Sequence, residues 1–177
     1  FEKKPIASAS ISQVHKAMLK TGEKVAVKIQ RPNAKRTMET DIDIMFYFAA
    51  LLEKNVEKIR RFNPVNVVSE FKEWTERELD FRMEARNAKR FYQNFKESKS
   101  VKIPKVYDDF TTERVITLEF IVGIWLHNIN EIKNEIKKRK LDFSQIIKNG
   151  FDAVMTQVFV HGIFHADPHP GNILVMR

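Results

Sequence analysis

His165-Ala166-Asp167-Pro168-His169-Pro170-Gly171-Asn172 is the stretch whose reading decides the fold. Asp167 and Asn172 stand five residues apart, and Pro168, Pro170 and Gly171 impose an irregular turn between them. Upstream, Ser144 to Val160 reads as a long, rather buried helix, with Gly162 placed to end it. Downstream, Ile173 to Met176 reads as the start of an apolar strand. The loop therefore joins a helix to a strand and carries one carboxylate and one amide.

Protein kinases place a His-Arg-Asp-x-x-x-x-Asn loop in this context. There the Asp accepts the proton of the attacking hydroxyl, and the Asn holds a metal on the phosphates. His165, Asp167 and Asn172 fall at those spacings. Val25-Ala26-Val27-Lys28 fits the kinase strand whose Lys meets the α- and β-phosphates. Apolar strands ending in Lys are common, so that match means little alone. Kinases also carry a Gly-x-Gly-x-x-Gly-x-Val loop about fifteen residues before this Lys. Val14 lies 14 residues before Lys28, and the three glycine positions land on Ala7, Ala9 and Ser12. Side chains this small still let backbone N–H groups approach phosphate oxygens. The Cβ of Ala restricts the backbone, however, so this loop differs from an ordinary glycine-rich one.

Lys28 needs a carboxylate partner on a helix. Glu73, Glu76, Glu78 and Glu84 are candidates. Glu84 borders a stripe of Phe81, Ala85, Ala88, Tyr92 and Phe95 at spacings of three and four, which predicts one buried helix face. Glu84 lies 56 residues after Lys28, against about twenty in ordinary kinases. A helical insert near residues 31–74 accounts for the excess.

The remaining pattern agrees. Ile11 to Val14 and Lys24 to Gln30 read as a hairpin around Thr21-Gly22-Glu23. Thr40 to Phe62 reads as a helix with Ile44, Phe48, Leu51 and Leu52 on one side. Asn63 is placed to cap the next helix, with Pro64 at its first position. Val106 to Phe110 and Arg114 to Ile121 read as strands, closed by Gly123, and Glu131 to Lys140 as a charged helix. The expected class is α+β, a protein-kinase-like two-lobe fold: residues 1–121 form a small β-rich lobe with the insert, and 122–177 begin a helical lobe.

Bulk properties narrow the choice. Hydrophobic residues make up 43% of the chain, which excludes a disordered segment. There is no Cys, so neither disulfides nor thiolate zinc sites are available. The longest apolar run, Met45 to Leu52, is too short to span a bilayer. The net charge of +8 favours anionic partners, but most lysines sit in helical stretches that read as solvated faces. No recognition motif points to nucleic acid. His161, His165, Asp167 and His169 could ligate zinc or iron, yet that reading leaves Lys28, Glu84, Asn172 and the small-residue loop unexplained.

Three stretches together resemble the UbiB/AarF (ADCK-type) family of atypical kinases. They are Pro5-Ile6-Ala7-Ser8-Ala9-Ser10-Ile11-Ser12-Gln13-Val14-His15, then Glu78-Leu79-Asp80, then the loop from His165 to Asn172. They look like the family's alanine-rich loop, Glu-x-Asp motif and catalytic loop. The resemblance implies ATP (or ADP) and magnesium as ligands, and a role in ubiquinone or other isoprenoid-lipid metabolism. It implies that Ala7, Ser8, Ala9, Ser10, Ile11, Ser12, Val14 and Ala26 border the nucleotide, and that Glu119, Phe120 and Ile121 form the adenine hinge. Lys28 and Glu84 become the phosphate-anchoring pair, Asp167 the catalytic acid/base and Asn172 the magnesium ligand. Glu78, Asp80, His165 and His169 belong to family motifs. The implied partners are isoprenoid-quinone precursors, anionic lipid and quinone-biosynthesis proteins. The implied location is cytoplasmic and membrane-associated, or mitochondrial in a eukaryote.

Two family elements have no counterpart here: an upstream Lys-x-Gly-Gln motif and an Asp-Phe-Gly metal ligand beyond Asn172. The chain begins with Phe1 and reads as a fragment, and because one metal-binding carboxylate is lacking, residues 1–177 alone are expected to be inactive. Ala166 replaces the Arg that pairs with a phosphorylated activation loop, which argues against that form of control. His169 occupies a position where many kinases carry a Lys, and reads as a weaker, pH-dependent cation. The alternative function is a non-catalytic nucleotide-binding regulator acting on a lipid or protein partner.

Overall fold

The computed structural model describes residues 1–127, 129–139, 142–167 and 169–176. It divides into two compact units, residues 1–90 with 105–120, and residues 91–104 with 121–177. The two-lobe division expected after residue 121 differs from this in residues 91–104 and in Ile121, which group with the second unit.

The first unit is built on an antiparallel sheet ordered β1-β2-β3-β4, comprising β1 (Ala7–Ser8), β2 (Ser12–Met18), β3 (Lys24–Gln30) and β4 (Val115–Glu119). The hairpin β2–β3 turns through Gly22 at φ 92, a left-handed value that suits glycine. Glu23 fastens this turn, accepting from the Thr21 hydroxyl at 2.6 Å and from the Tyr107 hydroxyl at 3.1 Å. Those two bonds, Thr21 first, hold its carboxyl below the ordinary value. The register places Lys28 opposite Val14 on one side and Ile116 on the other. Directly paired residues share a face, so Ala26, Lys28, Ile116 and Leu118 present one surface.

Helix α4 (Phe81–Phe95) packs on that surface. Phe81 and Ala85 are buried with Val106 and Ile116, and Ala88 and Leu118 flank them. Of the stripe expected from spacing, Phe81, Ala85 and Ala88 pack in the core of this unit, while Tyr92 and Phe95 group with the second. Between β3 and α4 lies the helical insert: α1 (Ala34–Asn55), α2 (Glu57–Arg60) and α3 (Pro64–Glu78). The helix expected over Thr40 to Phe62 instead starts at Ala34 and breaks at Val56, and the insert runs past residue 74 to Glu78. Its buried face is Ile42, Phe46 and Ala49 against Val65 and Val68. The face expected to be apolar, Ile44, Phe48, Leu51 and Leu52, is exposed instead. Both faces of α1 carry apolar residues, and α3 covers only one. Asn63 does not cap with its side chain either. It adopts φ 46, a left-handed conformation that Asn tolerates, and Pro64 begins the helix as expected.

Val106 to Phe110 is not a strand. Val106 makes one bridge to Leu118, and Asp108–Phe110 then turns as a 3-10 helix. Thr117 Oγ1 donates to the Phe110 carbonyl at 2.7 Å, and Thr111 Oγ1 to the Tyr107 carbonyl at 2.8 Å. Side-chain donors thus take carbonyls that a ladder would have used.

In the second unit β5 (Ile124–Trp125) pairs antiparallel with β6 (Leu174–Val175). A Cβ on Gly123 would lie 2.9 Å from the Val175 carbonyl oxygen, so glycine permits this close approach. Two helices complete the unit, α5 (Ile129–Arg139) and α6 (Phe143–Thr156). Lys140, the expected end of α5, lies outside the described residues. Asp142 caps α6, accepting from the Ser144 and Gln145 amides. A π-helical turn, Gln157–His161, follows α6 and ends at Gly162 with φ 63. The helix is less buried than its composition suggested. Phe143, Ile147, Phe151, Val154 and Val158 form an exposed stripe. Among the described residues no helix is long and apolar enough to cross a membrane.

Candidate functional site

In the first unit, Lys28 Nζ lies 2.7 Å from Glu84 Oε2. β3 supplies the Lys, and α4, packed on the same sheet face, supplies the Glu. The Lys28 ammonium also stands 4.9 Å from the centre of the Phe81 ring. A buried aromatic and a carboxylate thus fix the cation from two directions. Ala26 lies two residues before Lys28 on the same face and is half-buried.

The small-residue loop joins β1 to β2. Ala7, Ser8, Ala9 and Ser10 are exposed, Ile11 is half-buried, and Ser12 is buried at the start of β2. Ala9 N donates to the Ser12 carbonyl at 2.9 Å, which closes the loop tip. Val14 follows on the Lys28 face.

Two neighbours that sequence reasoning passed over hold this region together. Gln30 Nε2 donates to the Leu79 carbonyl at 3.1 Å. Arg31 donates from Nε to the Ala9 carbonyl at 3.1 Å and from Nη2 to Ser8 Oγ at 2.6 Å. A Gln-Arg pair after a strand looks like ordinary solvated polarity. The one available signal was its place between the strand end and Pro32.

Of the Glu-x-Asp residues, Glu78 is exposed at the end of α3. Asp80 starts α4, accepting from the Arg82 amide at 3.0 Å and the Arg82 guanidinium at 2.9 Å. The Arg82 side-chain bond holds the Asp80 carboxyl below its ordinary value, and Asp80 in turn raises Arg82. Asp80 thus fixes the start of the helix that carries Glu84 four residues on. At the expected hinge, Glu119 N donates to the Lys105 carbonyl and Phe120 N to the Lys24 carbonyl. Both amides are committed within the first unit. Ile121 belongs to the second unit.

The second unit carries the loop of Asp167 and Asn172. Gln157 Oε1, on the π-helical turn, accepts from the His165 amide at 2.9 Å. His165 Nδ1 accepts from the Asp167 amide at 3.2 Å. Asn172 Nδ2 donates to the Asp167 carbonyl at 3.2 Å and to its Oδ2 at 3.0 Å. Every bond converges on the position of one exposed carboxylate. Pro168 lies outside the described residues. His169 Nδ1 accepts from the Gly171 amide at 3.0 Å, which ties the ring to the turn before Asn172.

The donor set fits magnesium. With its nitrogen turned to Asp167, Asn172 keeps Oδ1 as an oxygen donor. Magnesium characteristically takes one or two protein oxygens and completes its shell with water and phosphate. Among the described residues no three His, Asp or Glu converge as a zinc or iron site. His161 instead packs edge-on against Phe95, ring centres 4.9 Å apart.

Comparison with known proteins gives concordant matches. The family model described as the ABC1 atypical kinase-like domain matches residues 1–177. "Probable protein kinase UbiB" of Pseudomonas aeruginosa is 40% identical over 175 residues, covering 99% of this chain and 32% of that protein. The protein of the same name from Aliivibrio fischeri is 38% identical over 176 residues, with the same coverage. The chain thus spans about a third of the length of these curated relatives. A solved Rv3197–erythromycin complex from Mycobacterium tuberculosis matches with a TM-score of 0.74 and 30% identity, over 99% of this chain and 42% of that one.

Proposed function

The chain belongs to the ABC1 atypical kinase-like family, and from that premise we propose that it binds ATP with magnesium and transfers or hydrolyses the γ-phosphoryl group. The Lys28–Glu84 bond of 2.7 Å carries this reading. A lysine held by a helix carboxylate beside a small-residue loop is the arrangement that kinases use to orient phosphates. Lys28 positions the α- and β-phosphates, and Ala7 to Ser12 approach them through backbone amides. Asp167, oriented by Asn172, accepts the proton of an acceptor hydroxyl, or of water in the hydrolytic case, as the bond from phosphorus to the departing ADP oxygen breaks. Asn172 Oδ1 would hold magnesium, which would supply positive charge against the phosphates. The intact Asp167–Asn172 bond gives no ground for preferring a non-catalytic regulator.

The relatives' name points to isoprenoid-quinone metabolism, so the proposed beneficiary of the reaction is a quinone precursor or a protein that handles one. Such substrates are lipid-soluble, and the proposed setting of the whole protein's work is a membrane surface. A net charge of +8 suits an anionic headgroup layer there. The test is magnesium-dependent ATP hydrolysis by the complete protein, with and without anionic vesicles. Turnover that needs magnesium and is lost in Asp167→Asn supports the reading. Turnover unchanged in that variant contradicts it.

A further inference from the structure

We propose that Arg31 is a positioning residue for the nucleotide, one that sets the Ala7–Ser12 loop before any ligand arrives. This rests on the reading of that loop as the phosphate-binding element. Three observations carry it. First, one guanidinium grips two successive loop residues, the Ala9 carbonyl at 3.1 Å and Ser8 Oγ at 2.6 Å. A planar fork with two anchor points fixes orientation as well as distance, which a lysine ammonium does not do. Second, the Arg31 amide donates to the Ile11 carbonyl at 2.8 Å, so backbone and side chain of one residue hold both limbs of the loop. Third, among the described residues no carboxylate pairs with Arg31. Glu84 neutralises Lys28, whereas the Arg31 charge beside the loop is uncompensated and adds to the attraction for an anion.

The physical need is plain from the sequence. A glycine-rich loop follows its ligand, but alanine and serine hold the backbone to fewer conformations. Such a loop binds well only if its one conformation is the correct one, and ordering it in advance lowers the entropy lost on binding. The neighbouring Gln30 side chain holds Leu79, between Glu78 and Asp80, so the end of β3 locates the loop and the Glu-x-Asp segment together.

The experiment measures Mg·ATP affinity, thermal midpoint and hydrogen exchange of the Ala9 amide in the complete protein, for wild type, Arg31→Ala and Arg31→Lys. The expected result is about tenfold weaker nucleotide binding in Arg31→Ala, the size of one lost charged hydrogen bond. The midpoint stays within a degree or so of wild type, Ala9 exchanges faster without nucleotide, and Arg31→Lys restores part of the affinity. Wild-type affinity in Arg31→Ala would overturn the proposal. So would affinity and midpoint falling together, with no rescue by lysine, which marks a purely structural residue. Absence of binding in the wild type would sink the nucleotide reading itself, and with it this role.

Discussion

Glu84 Oε2 accepts a hydrogen bond from Lys28 Nζ at 2.7 Å, although 56 residues of chain separate them. The insert of α1 to α3 occupies that interval without displacing α4 from the sheet. The side chains of Lys28 and Glu84 remain 27% and 42% exposed. A pair this open contributes about 0–1 kcal/mol to stability, so its importance is positional. Glu84→Gln is therefore expected to change the unfolding free energy by less than about 1 kcal/mol. The same variant is expected to lower ATP turnover by about 10²-fold, because Lys28 loses its charged anchor. Denaturant titration beside a turnover assay separates the two effects. A large stability loss with unchanged turnover would reverse the assignment.

Phe81 is 1% exposed and joins the sheet core to the Lys28 ammonium. Phe81→Ala opens a cavity beneath β3 and is expected to cost about 3–5 kcal/mol. Phe81→Leu keeps most of the volume and costs less than about 1.5 kcal/mol. It nonetheless removes the ring face beside Lys28. Urea midpoints for both variants check the ordering.

Asp80 ties the acid sensitivity of α4 to its first turn. Its carboxyl titrates below the ordinary value because Arg82 binds the charged form. A depressed folded-state pKa contributes stability that is fully present above the unfolded value of about 3.9 and is lost as pH falls through the folded value. Asp80→Ala is expected to lose about 0.5–2 kcal/mol at pH 7, the usual value of an N-cap. The difference between wild type and variant should shrink on acidification below about pH 4. Chemical denaturation across that range reads it directly. A gap that widens in acid contradicts the assigned sign.

Asp167 is an exposed carboxylate whose orientation comes from Asn172 at 3.0 Å. Asp167→Asn removes the proposed proton acceptor and leaves shape intact. Turnover should fall about 10²- to 10⁴-fold, while Mg·ATP affinity changes by less than about threefold. Single-turnover kinetics beside equilibrium binding distinguish a lost base from a damaged fold.

Much of this site was legible before folding because its residues sit on regular periods. The stripe Phe81–Ala85–Ala88 follows the helix repeat, which marked Glu84 as the partner of Lys28. Gly22 and Gly162, with φ 92 and 63, sit where a turn and a helix end were expected. What escaped were choices between equivalent surfaces. Helix α1 is apolar on more than one side, and only packing with α3 selects Ile42, Phe46 and Ala49. Val106 to Phe110 has strand composition, but the hydroxyls of Thr111 and Thr117 turn it into a 3-10 helix. Gln30 and Arg31 act through hydrogen bonds to residues distant in sequence, and no periodicity encodes those.

The most direct test of the account is equilibrium binding of ATP to the complete protein, with and without magnesium, comparing wild type with Lys28→Met. Methionine keeps the apolar stem of the side chain and removes the ammonium, with its charge and its hydrogen bond to Glu84. Saturable, magnesium-dependent binding by wild type, weakened at least about tenfold in Lys28→Met, is the predicted result. Equal affinity in the two proteins, or no binding by wild type, would contradict it.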